Sequence, residues 1–226
     1  MIDKPNIIPS GDSILIIKSS KKITSDKLNS IHDKIRSSNI LGVEDILILK
    51  DHIGLFYNPY RSTYNELKSK IISLLSDKSI KVISNKKRNW KIPICYNSQL
   101  ALDIENVSEI LKIDTKEIIK IHNECIYVVD MIGFLPGFLY LGGLDNTLNL
   151  PRKKVPRKII PKGSVGIAER QTGIYNIESP GGWNIIGRTP YELFNKNSDP
   201  PLKIRQGDTI TFYEVDIIEF NRIINL

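Results

Sequence analysis

The chain has 226 residues, 41% hydrophobic and 25% charged, with a formal charge of +7 and a pI near 9.2. That composition is ordinary for a globular protein and the length suffices for a sizeable core in one domain or two. The lysines are spread along the whole chain without a nucleic-acid-binding motif, no apolar run approaches the roughly 20 residues of a membrane span, and the opening MIDKPNIIPSGD lacks a secretory pattern. Nucleic acid and membrane are therefore not expected partners, and the cytoplasm is the expected compartment.

Gly11-Asp12 marks a turn, and SILIIK (Ser13 to Lys18) reads as a short buried strand. Ile23, Leu28, Ile31 and Ile35 then recur with the period of an amphipathic helix, which Thr24 or Ser25 can cap. His32 sits beside that stripe as a rim residue. Two strands follow, Val43 to Leu49 and Ile53 to Tyr57, with Asp51 and His52 as turn residues between them rather than an acid-base pair. A second helix, Ser62 to Leu75, carries Tyr64, Leu67, Ile71 and Leu74 or Leu75 on one face. This order predicts an α+β chain whose N-terminal domain, residues 1–83, is ferredoxin-like.

The basic run SNKKRNWK (Ser84 to Lys91) reads as a linker or exposed crossover into a second domain, residues 84–226. A strand with Pro93 near its start follows, then helices from Asp103 to Leu111 and from Thr115 to Cys125. Cys95 and Cys125 fit a reducing compartment as small core residues. Cys125 lies three residues after His122, but no second pair of ligands accompanies them, so no metal is expected. His122 on an apolar helix face is more simply a hydrogen-bonded core residue than a base. Asp130 interrupts the apolar strand IYVVDMIGF and must face solvent or find a partner.

Beyond this strand, short strands with turn signals at PKG, ESPGG and RQGD indicate a closed or nearly closed β barrel. The tail Ile217 to Leu226 is expected to be a last strand or a strap. Between Gly133 and Pro190, glycine and proline alternate with Phe, Leu, Ile, Tyr and Trp, so the backbone is expected to bend within or beside a core. Polar groups stand out there: Arg152, Arg157, Gln171, Thr172, Ser179, Arg188 and Thr189. An arginine fork suits a carboxylate or phosphate and a glutamine amide can orient a carbonyl, which together suggest a pocket for a small acid bearing an amide. The alternative is that PRKKVPRK is an exposed hairpin with Lys153, Lys154 and Lys158 merely solvated, and that Arg188 pairs with a carboxylate elsewhere.

The segments GFLPGFLYLGGLD, the paired Pro151-Arg152 and Pro156-Arg157, GSVGIA, QTGIY, SPGGW and IIGRTP closely resemble the allophanate hydrolase subunit 1 family. That family includes the Kip kinase inhibitor and the B component of bacterial 5-oxoprolinase, and the likeness covers essentially the whole chain. It implies a cyclophilin-like β barrel as the second domain. It also implies hydrolysis of 5-oxo-L-proline to L-glutamate with ATP, in company with an allophanate hydrolase subunit 2-like C component and a LamB/YcsF-like A component. With no phosphate loop in this chain, the ATP site is expected to be shared with or supplied by a partner.

On this resemblance Arg152, Arg157 and Arg188 face a substrate carboxylate or a transferred phosphate, while Gln171 and Thr172 orient the lactam. Gly133, Phe134, Pro136, Gly137 and Phe138 shape the wall, Ser179 and Thr189 add substrate contacts, and His122 joins because the family places a histidine just before this strand. The chain departs from the family's usual IAGGQTGIYP in Glu169-Arg170 and Asn176, and Asp130 stands where apolar or aromatic residues are usual. The resemblance also carries two other functions: inhibition of a sensor histidine kinase, and a carboxyltransferase-like role as in urea carboxylase. Prolyl isomerisation would rest on fold likeness alone.

Overall fold

The computed structural model describes residues 5–19, 23–76 and 87–225, and the chain divides into two compact units, Met1–Lys86 and Lys87–Leu226. It is a mixed α+β protein.

The first unit opens with β1 (Asn6–Ser10), which turns back through Gly11 into β2 (Ile14–Lys18) as an antiparallel hairpin. β1 is not expected from the sequence, because two prolines, Pro5 and Pro9, mask it. A proline is tolerated because β1 is the edge of the sheet. Next come α1 (Ser25–Ser37), β3 (Val43–Ile48), β4 (His52–Tyr57) and α2 (Tyr64–Ser76). The sheet order is β1-β2-β4-β3, antiparallel throughout. Thr24 caps α1 by accepting from the Lys27 amide. Thr63 and Glu66 cap α2 reciprocally, with the Thr63 N–H donating to Glu66 Oε2 at 2.8 Å. Leu28, Ile31 and Ile35 of α1 and Leu67, Ile71 and Leu75 of α2 are buried with Leu15, Ile17, Ile53 and Leu55 of the sheet. Asp51 and His52 form an exposed pair in the β3–β4 turn, where the His52 hydrogen bond holds the Asp51 carboxyl below its usual range.

The second unit holds β5 (Asn89–Ile94), α3 (Ile104–Leu111), α4 (Thr115–Glu124), β6 (Tyr127–Ile132), β7 (Leu139–Gly142), β8 (Arg157–Ile160), β9 (Ser164–Ala168), β10 (Gln171–Ile174), β11 (Ser179–Gly181), β12 (Asn184–Arg188), β13 (Thr209–Glu214) and α5 (Ile217–Ile224). Seven strands form one sheet in the order β12-β9-β10-β7-β6-β13-β5. Its two edges meet: the Cys95 amide donates to the Arg188 carbonyl at 2.8 Å and the Arg188 amide returns the bond to Cys95 at 3.0 Å. The sheet thus curls into the nearly closed barrel that the strand spacing suggested, in keeping with a cyclophilin-like fold. β8 and β11 form a separate antiparallel pair.

The structure departs from three expectations. Ser84 to Lys86 lie outside the described residues, but Asn89, Trp90 and Lys91 of the supposed linker are already strand, paired in parallel with β13. Residues Pro151 to Pro156 are irregular and Arg157 begins β8, so PRKKVPRK is not a hairpin. The tail is a helix: Asp216 caps α5 by accepting from the Glu219 amide, and Ile217, Phe220, Ile223 and Ile224 follow helical spacing. Among the described residues no helix is long and apolar enough to cross a membrane.

Candidate functional site

Strand alternation gives the curled sheet two chemically different faces. On one, Val129, Leu139, Leu141, Ile174, Val165 and Ile167 pack with Ile104, Val107 and Ile118 of the two helices. His122 and Thr172 belong to this packed face and both have no exposed surface. The His122 ring stacks on Phe212 with centroids 4.9 Å apart. Its Nδ1 lies 2.7 Å from Tyr96 Oη and its Nε2 3.0 Å from Thr172 Oγ1. Tyr96 Oη also lies 2.8 Å from the Asn123 amide, at Oδ1, and Thr172 donates to the Gly166 carbonyl at 3.1 Å.

Burial holds the His122 pKa down to about 3, so the ring is neutral. A neutral imidazole and two hydroxyls supply one proton fewer than these contacts need. Turning the Asn123 amide end for end supplies the missing donor. The chain then runs one way: Asn123 N–H to Tyr96, Tyr96 O–H to Nδ1, Nε2–H to Thr172, and Thr172 O–H to Gly166. His122 is a braced core residue, the simpler of the two readings of the sequence, and neither it nor Thr172 reaches the other face.

That other face is where the candidate site lies. Gly173 pairs with Gly166 across β10 and β9, and Gln171 pairs with Gly142 across β10 and β7. Residues two apart share a face, so Tyr140, Gly142, Gln171 and Gly173 point the same way. A Cβ on Gly173 would meet Phe138 Cζ at 2.8 Å and Trp183 Cζ3 at 3.0 Å, and one on Gly166 would meet Trp183 Cβ at 3.1 Å. The bare glycine backbone therefore seats an aromatic group: Phe138, Tyr140, Tyr175 and Trp183, whose rings meet edge to face with centroids 4.6–5.9 Å apart. Phe134, 64% exposed and in the left-handed region at φ 70°, leans on Phe138.

Polar groups border this aromatic floor. The Arg152 guanidinium sits over the Trp183 ring at 5.9 Å and its Nε lies 3.9 Å from Glu169. At the Gly142 end, the Asp130 carboxylate occupies the space a side chain on Gly142 would need, 2.5 Å from such a Cβ. Asp130 is delivered there by a bulge in β6 between Val129 and Met131. Gln206 Nε2 fixes that bulge by donating to the Asp130 carbonyl at 2.7 Å, and Gln171 Nε2 lies 3.3 Å from Asp130 Oδ2.

The loop before β7 is tied to the same floor. Gly137 needs its φ of 76°, and a Cβ there would collide with Phe194. Asn176, which departs from the family's proline, is buried and donates its amide to the Gly137 carbonyl. Gly133 and the exposed Pro136 complete this loop. Glu169 takes φ 55° at the β9–β10 turn, which explains why small residues suit that position, and it points outward with Arg170.

The three arginines do not converge. Of them, Arg152 alone borders the aromatic floor. Arg157 Nη1 donates to Asp103 Oδ2 at 2.6 Å, alongside Lys153 Nζ on Oδ1 at 2.7 Å and the Ile185 amide at 2.7 Å. Asp103 is nearly fully buried, so this triad fastens the start of α3 to β12, and Lys153 is not merely solvated. Arg188 Nε donates to the Lys162 carbonyl at 2.6 Å and lines a cleft of about 550 Å³ with Thr189, Tyr191, Glu192, Ile223 and Ile224. Its partner is a carbonyl, not the carboxylate that the alternative sequence reading supposed. Thr189 Oγ1 accepts from the Tyr191 amide. Ser179 is buried on β11 with no hydrogen-bond partner for its hydroxyl among the described residues. Tyr140 and Trp183 were not singled out from the sequence, although the glycines beside them, Gly142 and Gly143 after Tyr140 and Gly181 and Gly182 before Trp183, carried the signal.

The sequence matches the family described as carboxyltransferase domain, subdomain C and D, over residues 5–204. The chain belongs to this family. It is 39% identical over 158 residues to the 5-oxoprolinase B component of Bacillus subtilis (strain 168), an alignment covering 70% of this chain and 64% of that protein. The chain thus spans a little under two thirds of that relative. Among solved structures, a conserved uncharacterized protein of Pyrococcus horikoshii, PH0987, is 34% identical, with a TM-score of 0.57 over 95% of this chain and all of the other. TTHA0988 is 25% identical with a TM-score of 0.75, covering 89% of this chain but 40% of that longer one.

Proposed function

We propose that this chain is the B component of an ATP-dependent 5-oxoprolinase, which hydrolyses 5-oxo-L-proline to L-glutamate together with a LamB/YcsF-like A component and an allophanate hydrolase subunit 2-like C component. The observation that carries the proposal is the 39% identity to a 5-oxoprolinase B component across 158 residues. The chain's own part is to hold the substrate. Arg152 engages the carboxylate, the aromatic floor of Tyr140 and Trp183 excludes water beneath the ring, and Gln171 orients the amide.

In this proposal ATP is shared with or bound by a partner. Phosphoryl groups call for several converging donors and a metal, whereas Arg152 borders the floor while Arg157 and Arg188 have partners elsewhere. The isolated chain is accordingly inactive. The same reading makes the protein cytoplasmic and hetero-oligomeric. The first unit is a ferredoxin-like sandwich variant in which β1 takes the sheet edge beside β2.

Co-expression with candidate A and C components tests the proposal. The complete complex should release glutamate from 5-oxo-L-proline only when ATP is present, and Arg152→Ala should raise KM by about tenfold or more. A stable, complete complex without glutamate release would contradict it. A carboxyltransferase-like role is the second reading, favoured by the description of the matched family. It predicts transfer of a carboxyl group from a biotinyl carrier to an amide nitrogen when the chain is assembled with a biotinylated carboxylase instead of the A and C components.

A further inference from the structure

We propose that Asp130 and Gln171 form a two-point subsite for a cis amide, Asp130 accepting the ring N–H and Gln171 donating to the ring carbonyl, so that Asp130 selects a lactam or cyclic ureide over its ring-oxygen analogue. This rests on the substrate reading above and names the group that recognises the ring nitrogen.

The argument begins with covalent geometry. Ordinary peptide bonds are trans and present N–H and C=O on opposite sides, whereas a small lactam ring holds its amide cis and shows donor and acceptor along one edge. Reading such an edge takes an acceptor and a donor within about one hydrogen-bond length of each other. Asp130 Oδ2 and Gln171 Nε2 are 3.3 Å apart on one face of the sheet. A carboxylate has about four acceptor positions and a primary amide two N–H donors, so a single bond between the two side chains does not exhaust either group.

Their placement is built. Asp130 is the extra residue of the β6 bulge, its carbonyl is clamped by Gln206 at 2.7 Å, and its carboxylate lies against the bare backbone of Gly142. The Gly207 amide and the Asp208 carbonyl bond Val129 on the preceding residue, both at 2.9 Å, so the bulge is fixed from that side as well. Gln171 comes from β10, directly opposite Gly142 on β7. Tyr140 shares this face and meets Trp183, with ring centroids 5.9 Å apart, and Arg152 lies over Trp183. A ring lying on this floor with its edge toward Asp130 and Gln171 can direct an α-carboxylate toward Arg152. A lactone in the same pose would turn an oxygen lone pair on the Asp130 carboxylate, and sites built around a hydrogen-bonding partner reject analogues that lack it.

The test compares 5-oxo-L-proline with its ring-oxygen analogue, the γ-lactone of 2-hydroxyglutaric acid of the same configuration. Affinity for the full chain is read by quenching of tryptophan fluorescence in wild type, Asp130→Asn and Asp130→Leu. Wild type should prefer the lactam by about 100-fold or more, and both variants should bring that preference below about tenfold, while remaining folded by circular dichroism. Retention of the wild-type preference in both folded variants would overturn the assignment of Asp130 and leave the oxoprolinase reading standing. Equal affinity of wild type for the two ligands would likewise overturn the subsite alone. Binding of neither ligand by wild type would overturn the substrate reading together with the subsite.

Discussion

Acidification should unfold the second unit of the wild-type protein earlier than the same unit carrying His122→Gln. The His122 ring is fully buried among Tyr96, Tyr127, Phe212 and Thr172, and burial lowers its pKa from 6.5 to about 3. A folded pKa below the unfolded one means that the unfolded chain binds the extra proton first. The stability of the neutral ring is thus fully present above about pH 6.5 and is lost as the pH falls toward about 3. Each pH unit in that window costs about 1.4 kcal/mol, so at pH 4.5 the penalty is about 2.7 kcal/mol. Glutamine can donate to Thr172 and accept from Tyr96 without ever gaining charge. Urea unfolding monitored by tryptophan fluorescence is the suitable assay, because Trp90 and Trp183, the only tryptophans, both lie in the second unit. Carboxylates titrate in both proteins and cancel in the difference. The stability of wild type relative to His122→Gln should fall by about 2.7 kcal/mol from pH 7.5 to pH 4.5. A difference that stays flat, or moves the other way, would refute the neutral, enclosed imidazole.

Other substitutions probe the remaining supports. Asp103→Ala leaves Arg157, Lys153 and the Ile185 amide without their shared carboxylate and should cost about 3–5 kcal/mol in denaturant unfolding. Gly173→Ala drives a methyl into Phe138, Trp183 and the Leu139 carbonyl. It should destabilise by about 1–3 kcal/mol and shift the Trp183 emission, whereas an unchanged spectrum would mean the aromatic group is not seated on that glycine. Glu169→Gly relieves a positive φ and should stabilise by up to about 1 kcal/mol in the same unfolding assay, since the Arg152 contact it gives up is exposed and weak.

Most of the periodic structure is legible in the sequence. Leu28, Ile31 and Ile35, and likewise Leu67 and Ile71, recur at a spacing that admits only one buried helical face, and those residues are in the core. The edges of elements are less visible. β1 is short and holds Pro9, and proline argues against a strand unless the strand is known to lie at a sheet edge. In α5 the isoleucines suggest a strand, although Asp216 with Glu219 three residues on is a helix-start pattern that outweighs them.

The floor of the candidate site is partly legible for the same reason. Gln171 and Phe138 stand out as polar or aromatic residues among glycines, and the structure puts both at the face with Arg152. Arg157 cannot be separated from Arg152 by pattern, because its partner Asp103 is 54 residues away in sequence and only the fold joins them. Nor does local spacing show that Asp130, rather than its neighbours, is the bulged residue of β6. That depends on the register with β7 across Gly142.

The most direct test of the account is to titrate the full chain with 5-oxo-L-proline and map the perturbed backbone amides and tryptophan indoles by NMR. Shifts at Tyr140, Gly142, Gln171, Gly173 and the Trp183 indole, with a midpoint moved to about tenfold or more higher ligand in Arg152→Ala, are the predicted result. Shifts confined to the cleft around Lys162, Arg188 and Tyr191, or none at all at saturating ligand, would contradict it.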